Sequence, residues 1–302
     1  MCGIVGYYDK TGSNQTPVGQ IVLDMLNALG CRGPDSAGVA LYNSHNVGCT
    51  ILQIKLGERG HFEEKGWHIA EKMRELTDVQ DASVTAEYLR LVVDYSGKPA
   101  ELERCIEQLD PDLEVVSMGQ SLEIVKQVGS PQNLDDTYHV SSFTGNIGIG
   151  HTRLSTESRV DLSHSQPFWS HGYPDLATVH NGHITSYRKQ RWRYEQRGVH
   201  FYTENDSEII GVYLADQMTK GATLEAAMRK SIQDMDGSFS YVAATANSIG
   251  FAKDPFALKP LLVAETDDFV VIATEEIAIR AALGGDFPVR EAQAGEIRVW
   301  QA

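Results

Sequence analysis

Cys2 stands second in the run Met1-Cys2-Gly3-Ile4-Val5-Gly6-Tyr7-Tyr8. Removal of Met1 leaves a thiol and a free α-amine on one residue. An α-amine with a pKa of about 8 serves as general base for the thiol without a histidine. The plain alternative is a small buried residue opening a strand. Gly150-His151-Thr152-Arg153-Leu154-Ser155-Thr156 sets an arginine at the end of an apolar run. Its guanidinium fork suits a carboxylate, or else a surface ion pair. In His180-Asn181-Gly182 an amide side chain and a glycine N–H offer two donors to an oxyanion. The same pair also spells an Asn-Gly turn. Glu204-Asn205-Asp206-Ser207-Glu208 places acids at a helix start, to hold an ammonium or to cap the helix. Arg32-Gly33-Pro34-Asp35-Ser36-Ala37-Gly38 is a tight turn able to brace the N-terminal strand.

These residues need elements to hold them. Ile4–Tyr8 and Ala37–Tyr42 read as strands, with a helix between them carrying Ile21, Met25, Leu26 and Leu29 at helical spacing. From Gly57 to Val140 the chain is more charged. There Glu87–Tyr95 and Leu113–Met118 read as strands, and Pro99–Leu109 and Ser121–Val128 as helices. We expect residues 57–140 to form a small α/β insertion, either docking a partner or covering sheet edges. Ile147–Leu154 and Leu176–His180 read as strands, the second ending at His180-Asn181-Gly182. Two helices follow, the first capped by Asp206 or Ser207 and the second starting near Thr223. Ser238–Ala246, Ile249–Ala252, Leu261–Ala264 and Phe269–Ala273 read as strands of a second sheet, with Glu296–Trp300 as a last strand. Grouped helices among many strands favour stacked layers over a doubly wound sheet.

Composition narrows the function classes. The 302 residues hold 26 Lys plus Arg against 41 Asp plus Glu, a formal charge of −15. That balance argues against nucleic acid or an anionic membrane surface as main partner. No stretch approaches the roughly 20 apolar residues of a membrane span. No basic n-region precedes the short N-terminal apolar run, so the expected location is the cytoplasm. Four cysteines, Cys2, Cys31, Cys49 and Cys105, are too scattered for a disulfide framework or a zinc site.

The segments CGIVGYY, RGPDSAG, GHTRLST, HNG and DSE, in this order, resemble the class II glutamine amidotransferases, which are N-terminal-nucleophile hydrolases. The later run Lys253-Asp254-Pro255-Phe256-Ala257-Leu258-Lys259-Pro260-Leu261, followed by Ala273-Thr274-Glu275, is similar to that family's second half. The resemblance implies an α+β fold, a four-layer αββα sandwich. It implies a type 2 glutamine amidotransferase domain over residues 2–302, interrupted by 57–140. By the same resemblance Cys2 is the nucleophile, and Asn181 with the Gly182 N–H forms the oxyanion hole. Arg153, helped by Thr156, binds the glutamine carboxylate, and Asp206 binds its ammonium. The loop Glu157-Ser158-Arg159-Val160 departs from the family, which often has glycine there. His164, beside the family-like Ser165-Gln166-Pro167-Phe168, reads as a surface histidine or else a functional one.

Among such proteins the chain is most similar to the stand-alone glutaminase-type subunits of glutamate-synthase-like complexes. N-methylglutamate synthase is the first expectation, which implies methylamine metabolism, and the amidotransferase-like protein of rhizobia is a near sister. This implies glutamine or glutamate as small-molecule substrate and partner subunits carrying the acceptor site. No cofactor is expected on this chain; flavin and iron–sulfur clusters would sit on partners. Two other readings compete: a non-catalytic glutamate-sensing or scaffold subunit, and a hydrolase of another γ-glutamyl amide.

Overall fold

The computed structural model describes residues 2–43, 48–155 and 159–301. The chain begins with β1 (Gly3–Asp9), α1 (Val18–Ala28) and β2 (Ser36–Tyr42). Next come β3 (Thr50–Lys55), α2 (Phe62–Arg74), β4 (Asp78–Thr85), β5 (Tyr88–Asp94), α3 (Pro99–Glu107) and β6 (Glu114–Gly119). Then follow β7 (Leu122–Val128), α4 (Pro131–Tyr138), β8 (Ile147–Arg153), β9 (Phe168–Trp169), β10 (Ala177–Ile184), α5 (Tyr187–Glu195), α6 (Glu208–Thr219) and α7 (Leu224–Asp234). The last elements are β11 (Gly237–Thr245), β12 (Ser248–Lys253), β13 (Leu262–Glu265), β14 (Phe269–Ala273), α8 (Glu276–Ala282), β15 (Arg290–Glu291) and β16 (Ile297–Gln301).

Two antiparallel sheets face each other. One runs β15-β13-β14-β1-β8-β2-β7, the other β16-β12-β11-β10-β9. Ile4, Tyr8, Ala40 and Ile272 of the first meet Val179, Val242 and Phe251 of the second in one core. The alternate residues Val5, Val39 and Val271 of the first sheet pack outward on α1 and α8. Phe239, Tyr241 and Ala243 of the second pack outward on α6 and α7. Both faces of β1 are thus covered, and all seven of its residues are buried. The result is the expected αββα sandwich.

A third sheet, β4-β5-β3-β6, carries α2 and α3. It lies between β2 and β7, and these two strands pair directly, Tyr42 opposite Leu122. The inserted unit therefore occupies the place of a hairpin loop, residues 43–121. The expected span of 57–140 begins after β3 and takes in β7 and α4 of the sandwich. The Asp175 carboxylate holds the return point, accepting the N–H groups of Gln120 (3.0 Å), Ser121 (2.9 Å) and Leu122 (2.9 Å).

Three sequence expectations change. The expected helix over Ser121–Val128 is the strand β7, Leu122–Val128: Leu122, Ile124 and Lys126 point inward at a period of two. β13 and β14 belong to the first sheet, because β14 pairs with β1 (Val5 opposite Ala273). An additional helix, α5, precedes the two expected after β10.

Candidate active site

Cys2 sits immediately before β1, which is paired on both sides, with β14 and β8. Its thiol lies 3.9 Å from the Leu154 carbonyl oxygen. The 32–36 turn braces this end of the strand. Arg32 Nε donates to the Cys2 carbonyl (3.3 Å), and the Arg32 guanidinium pairs with Glu275. Thr274 Oγ1 accepts the Ile4 N–H at 2.8 Å. The same turn lies against the end of β8. The Asp35 N–H donates to the Arg153 carbonyl (3.0 Å), and the Asp35 carboxylate accepts the Ser155 N–H (2.7 Å). Gly33 makes this approach feasible, since a Cβ there would lie 2.5 Å from the Arg153 nitrogen. One turn therefore sets both the thiol and the arginine.

Arg153 closes β8 and is buried. Its Nη1 donates to the Arg159 carbonyl at 2.8 Å. Burial pulls its pKa down, opposed by Cys2, Asp161 and Asp35. Thr156 lies outside the described residues.

Asn181 and Gly182 are not a turn. β10 runs through them to Ile184, pairing with β11, Asn181 opposite Ser240. Strand alternation puts Asn181 with Val179 on the face toward the other sheet, and His180 toward the helices, 6.3 Å from the Phe239 ring. Asn181 Nδ2 is buried and has no hydrogen-bond partner among the described residues. A buried, unanswered donor is costly and marks a place for an acceptor from elsewhere. Gly182 has φ +135°, and a Cβ there would lie 2.3 Å from the Ser238 carbonyl oxygen, so only glycine fits.

Asp206 does not cap α6. The Ser207 backbone takes that position, without a side-chain cap bond. The Asp206 carboxylate instead reaches across to β10: Oδ2 accepts the Ile184 N–H at 2.7 Å and stands 3.5 Å from His183 Nδ1.

Behind these groups runs a buried network to which sequence reasoning assigned no role. Gln166 Oε1 accepts the His180 N–H (2.6 Å), which fixes its Nε2 as donor to Ser207 Oγ (3.0 Å). Asn205 Oδ1 accepts both the Ser207 N–H (3.2 Å) and the Ser207 hydroxyl (3.0 Å). Ser207 Oγ has one hydrogen and spends it on Asn205. His180 Nδ1, 2.7 Å away, must therefore be the protonated nitrogen of that ring. Burial pushes the His180 pKa down, so the ring is neutral. His164, expected at the surface, is mostly buried against Asp161 (2.6 Å). Burial raises the Asp161 pKa, but its hydrogen bonds from His164 outweigh that and hold it below the usual carboxylate range. Gln166, His180 and Ser207 are too far apart in sequence for any local pattern to join them.

Cys2, Arg153, Asn181, Gly182 and Asp206 all line one cavity of about 870 Å³. Gln166, His180, Ser207, His164 and Lys259 line it too. A thiol, a free amide donor, a guanidinium and a carboxylate facing one space suit nucleophilic attack on a carbonyl of an amino acid held by both charged ends. Among the described residues no group of three or more His, Cys, Asp or Glu is placed to hold a metal ion. No helix among them is long and apolar enough to cross a membrane.

Comparison with known proteins agrees with this geometry. Residues 151–281 match the family model of a glutamine amidotransferase domain. A protein of Methanothermobacter thermautotrophicus named "Putative glutamine amidotransferase" is 36% identical, over 100% of this chain and 100% of its own length. The "Glutamine amidotransferase-like protein GlxB" of Rhizobium meliloti is 34% identical, over 92% of this chain and 91% of its own. The solved glutamine phosphoribosylpyrophosphate amidotransferase from B. subtilis superposes with a TM-score of 0.63 at 19% identity. It covers 99% of this chain, which spans about half of that longer one (47%), and the likeness is one of fold. On its near full-length likeness to two amidotransferase-type relatives, the chain belongs to the glutamine amidotransferase family.

Proposed function

We propose that the protein is a class II glutaminase subunit that releases ammonia from glutamine through a Cys2 thioester. The observation that carries this is the gathering of Cys2, Arg153, Asn181 and Asp206 around one cavity. With Met1 removed, the α-amine of Cys2 takes the thiol proton as sulfur attacks the side-chain amide carbon. Asn181 Nδ2 and the Gly182 N–H hold the resulting oxyanion. The amine returns the proton to the leaving nitrogen, ammonia departs, and water hydrolyses the thioester to glutamate. Arg153 and Asp206 hold the α-carboxylate and α-ammonium.

The finer reading is that ammonia, or a small amine, passes to an acceptor site on a partner subunit of a glutamate-synthase-like assembly. N-methylglutamate synthase is the specific case, with flavin and iron–sulfur clusters on the partners.

Intact-mass measurement before and after a γ-electrophilic glutamine analogue tests the core reading. The expected result is a chain lacking Met1 with one adduct mapped to Cys2. Cys2→Ala should lower ammonia release by more than about 10³-fold, with an unchanged circular-dichroism spectrum. A chain that keeps Met1 and takes no adduct, even with partners present, would move the assignment to a glutamate sensor or scaffold.

A further inference from the structure

Tyr202 lines the Cys2 cavity, yet its phenol points away into a cluster supplied by the inserted unit. Its hydroxyl lies 3.0 Å from Glu103 Oε1 and 2.8 Å from each oxygen of Glu107, both on α3. His171, just past β9, donates from Nδ1 to Glu103 Oε1 (2.5 Å) and stacks on the Tyr202 ring at 4.0 Å between centroids. The Trp169 ring is tilted against His171 at 4.9 Å between centroids. Glu103 is only 7% exposed.

Counting hydrogens fixes the arrangement. The phenol has one hydrogen and faces two carboxyl groups. It can satisfy one of them only, so the other must bring its own proton. Glu107 suits that role: burial raises its pKa above the usual carboxylate range, against the hydrogen bonds from Tyr202 and from the Val115 N–H (3.2 Å) that pull it down. Glu107 then donates to the Tyr202 oxygen, Tyr202 donates to Glu103, and Glu103 also takes the His171 N–H. For His171, burial works against the cation, but the hydrogen bond and charge of Glu103 outweigh it and raise the pKa. The chain of bonds crosses from the inserted unit into the sandwich.

Tyr202 begins the segment that leads to Asp206. Its N–H and that of Thr203 donate to the Glu208 carboxylate (2.9 and 3.0 Å), and Arg191 holds the Thr203 carbonyl. Thr203 Oγ1 accepts the Asn205 N–H at 3.1 Å. Residues 201–206 belong to no strand or helix, so side-chain bonds hold them, together with the Glu208 and Ile209 N–H groups that donate to the Asn205 and Asp206 carbonyls.

We infer that Tyr202 is a positioning residue through which α3 of the inserted unit sets the placement of Asp206, and with it the affinity for glutamine. This rests on the glutamine reading above. It gives the inserted unit a role inside the glutamine site, in addition to any contact it makes outside.

Two readouts on Tyr202→Phe, Glu107→Ala and Glu107→Gln test it. The first is hydrogen exchange of the 203–206 amides in the full chain. The second is the concentration dependence of Cys2 labelling by the γ-electrophilic glutamine analogue, beside labelling by iodoacetamide. In Tyr202→Phe and Glu107→Ala the amides should exchange about tenfold faster. The half-saturating analogue concentration should rise about tenfold, as for loss of one hydrogen bond. The limiting labelling rate and the iodoacetamide rate should stay within about twofold, because Cys2 is held by strands. Glu107→Gln should restore both readouts, since its amide N–H still reaches the phenol oxygen. Unchanged exchange and half-saturation in folded Tyr202→Phe and Glu107→Ala would overturn the inference. A wild-type protein that reacts with iodoacetamide but shows no saturable labelling would sink the glutamine reading instead. The exchange result would still decide whether α3 anchors the segment.

Discussion

Cys2, Arg153 and Asn181 stand on or beside β1, β8 and β10, where backbone pairing on neighbouring strands sets the position of each residue. Across the same cavity, residues 201–207 belong to no sheet. Glu208, Arg191, Gln166 and the carboxyl groups of α3 hold them by side-chain hydrogen bonds. The reacting groups of the proposed mechanism lie on the first wall and the ammonium-binding acid on the second. A sheet register is shared by many residues and yields little to any one of them. A wall built from side chains can be loosened one bond at a time. In the proposed mechanism the strand wall therefore holds the reacting groups and Arg153 rigidly, while the grip on the substrate ammonium is adjustable from outside the sandwich.

The largest test of the strand wall is Gly182→Ala. The added methyl meets the Ser238 carbonyl at 2.3 Å, at a backbone angle alanine avoids. It should cost about 3 kcal/mol in denaturant unfolding and abolish ammonia release. A stable, active variant would mean that this wall is not rigid.

Asn181→Ala should separate chemistry from fold. The amide nitrogen has no hydrogen bond to lose among the described residues. Stability should therefore change by less than about 1 kcal/mol, while the limiting rate of glutamine hydrolysis falls about 10²-fold or more. A large stability loss with a normal rate would assign the amide to structure instead.

Ser207→Ala probes the side-chain wall. It removes the acceptor shared by Gln166 Nε2 and His180 Nδ1. The expected stability loss is about 2 kcal/mol, with KM for glutamine rising more than kcat falls. An equal fall in kcat and kcat/KM would place Ser207 with the reacting groups.

The smallest effect concerns pH. The His171 pKa is raised in the folded state, so its contribution to stability is fully present below its unfolded value, about 6.5. It is lost as pH rises through the folded value. The melting-temperature gap between wild type and His171→Phe, which keeps a ring against Tyr202, should therefore shrink from pH 6 towards pH 9. A gap that widens would reverse the sign of the Glu103 contact.

Much of the frame could be read along the chain. β1, α1 and β2 announce themselves by short apolar runs, helical spacing and the Arg32-Gly33-Pro34-Asp35 turn. α5 escaped because it is polar nearly all round, with only Gln190 and Tyr194 buried. β7 was mistaken for a helix because Leu-Glu-Ile-Val-Lys-Gln-Val fits either period over so short a run. β13 and β14 were given to the wrong sheet because strand pairing is decided across more than 250 residues, between Val5 and Ala273.

By itself the sequence determined which chemical groups are present and their order: a thiol at the second position, an arginine closing a strand, Asn-Gly, and an acid before a helix. Those are local features, and local residue types fix them. Only the tertiary structure decided that Asn-Gly lies within a strand with a free buried amide and that Asp206 braces β10 instead of capping α6. It alone tied Tyr202 to carboxyl groups 95 and 99 residues away. Such contacts depend on sheets closing over one another, and no window of the chain contains both partners.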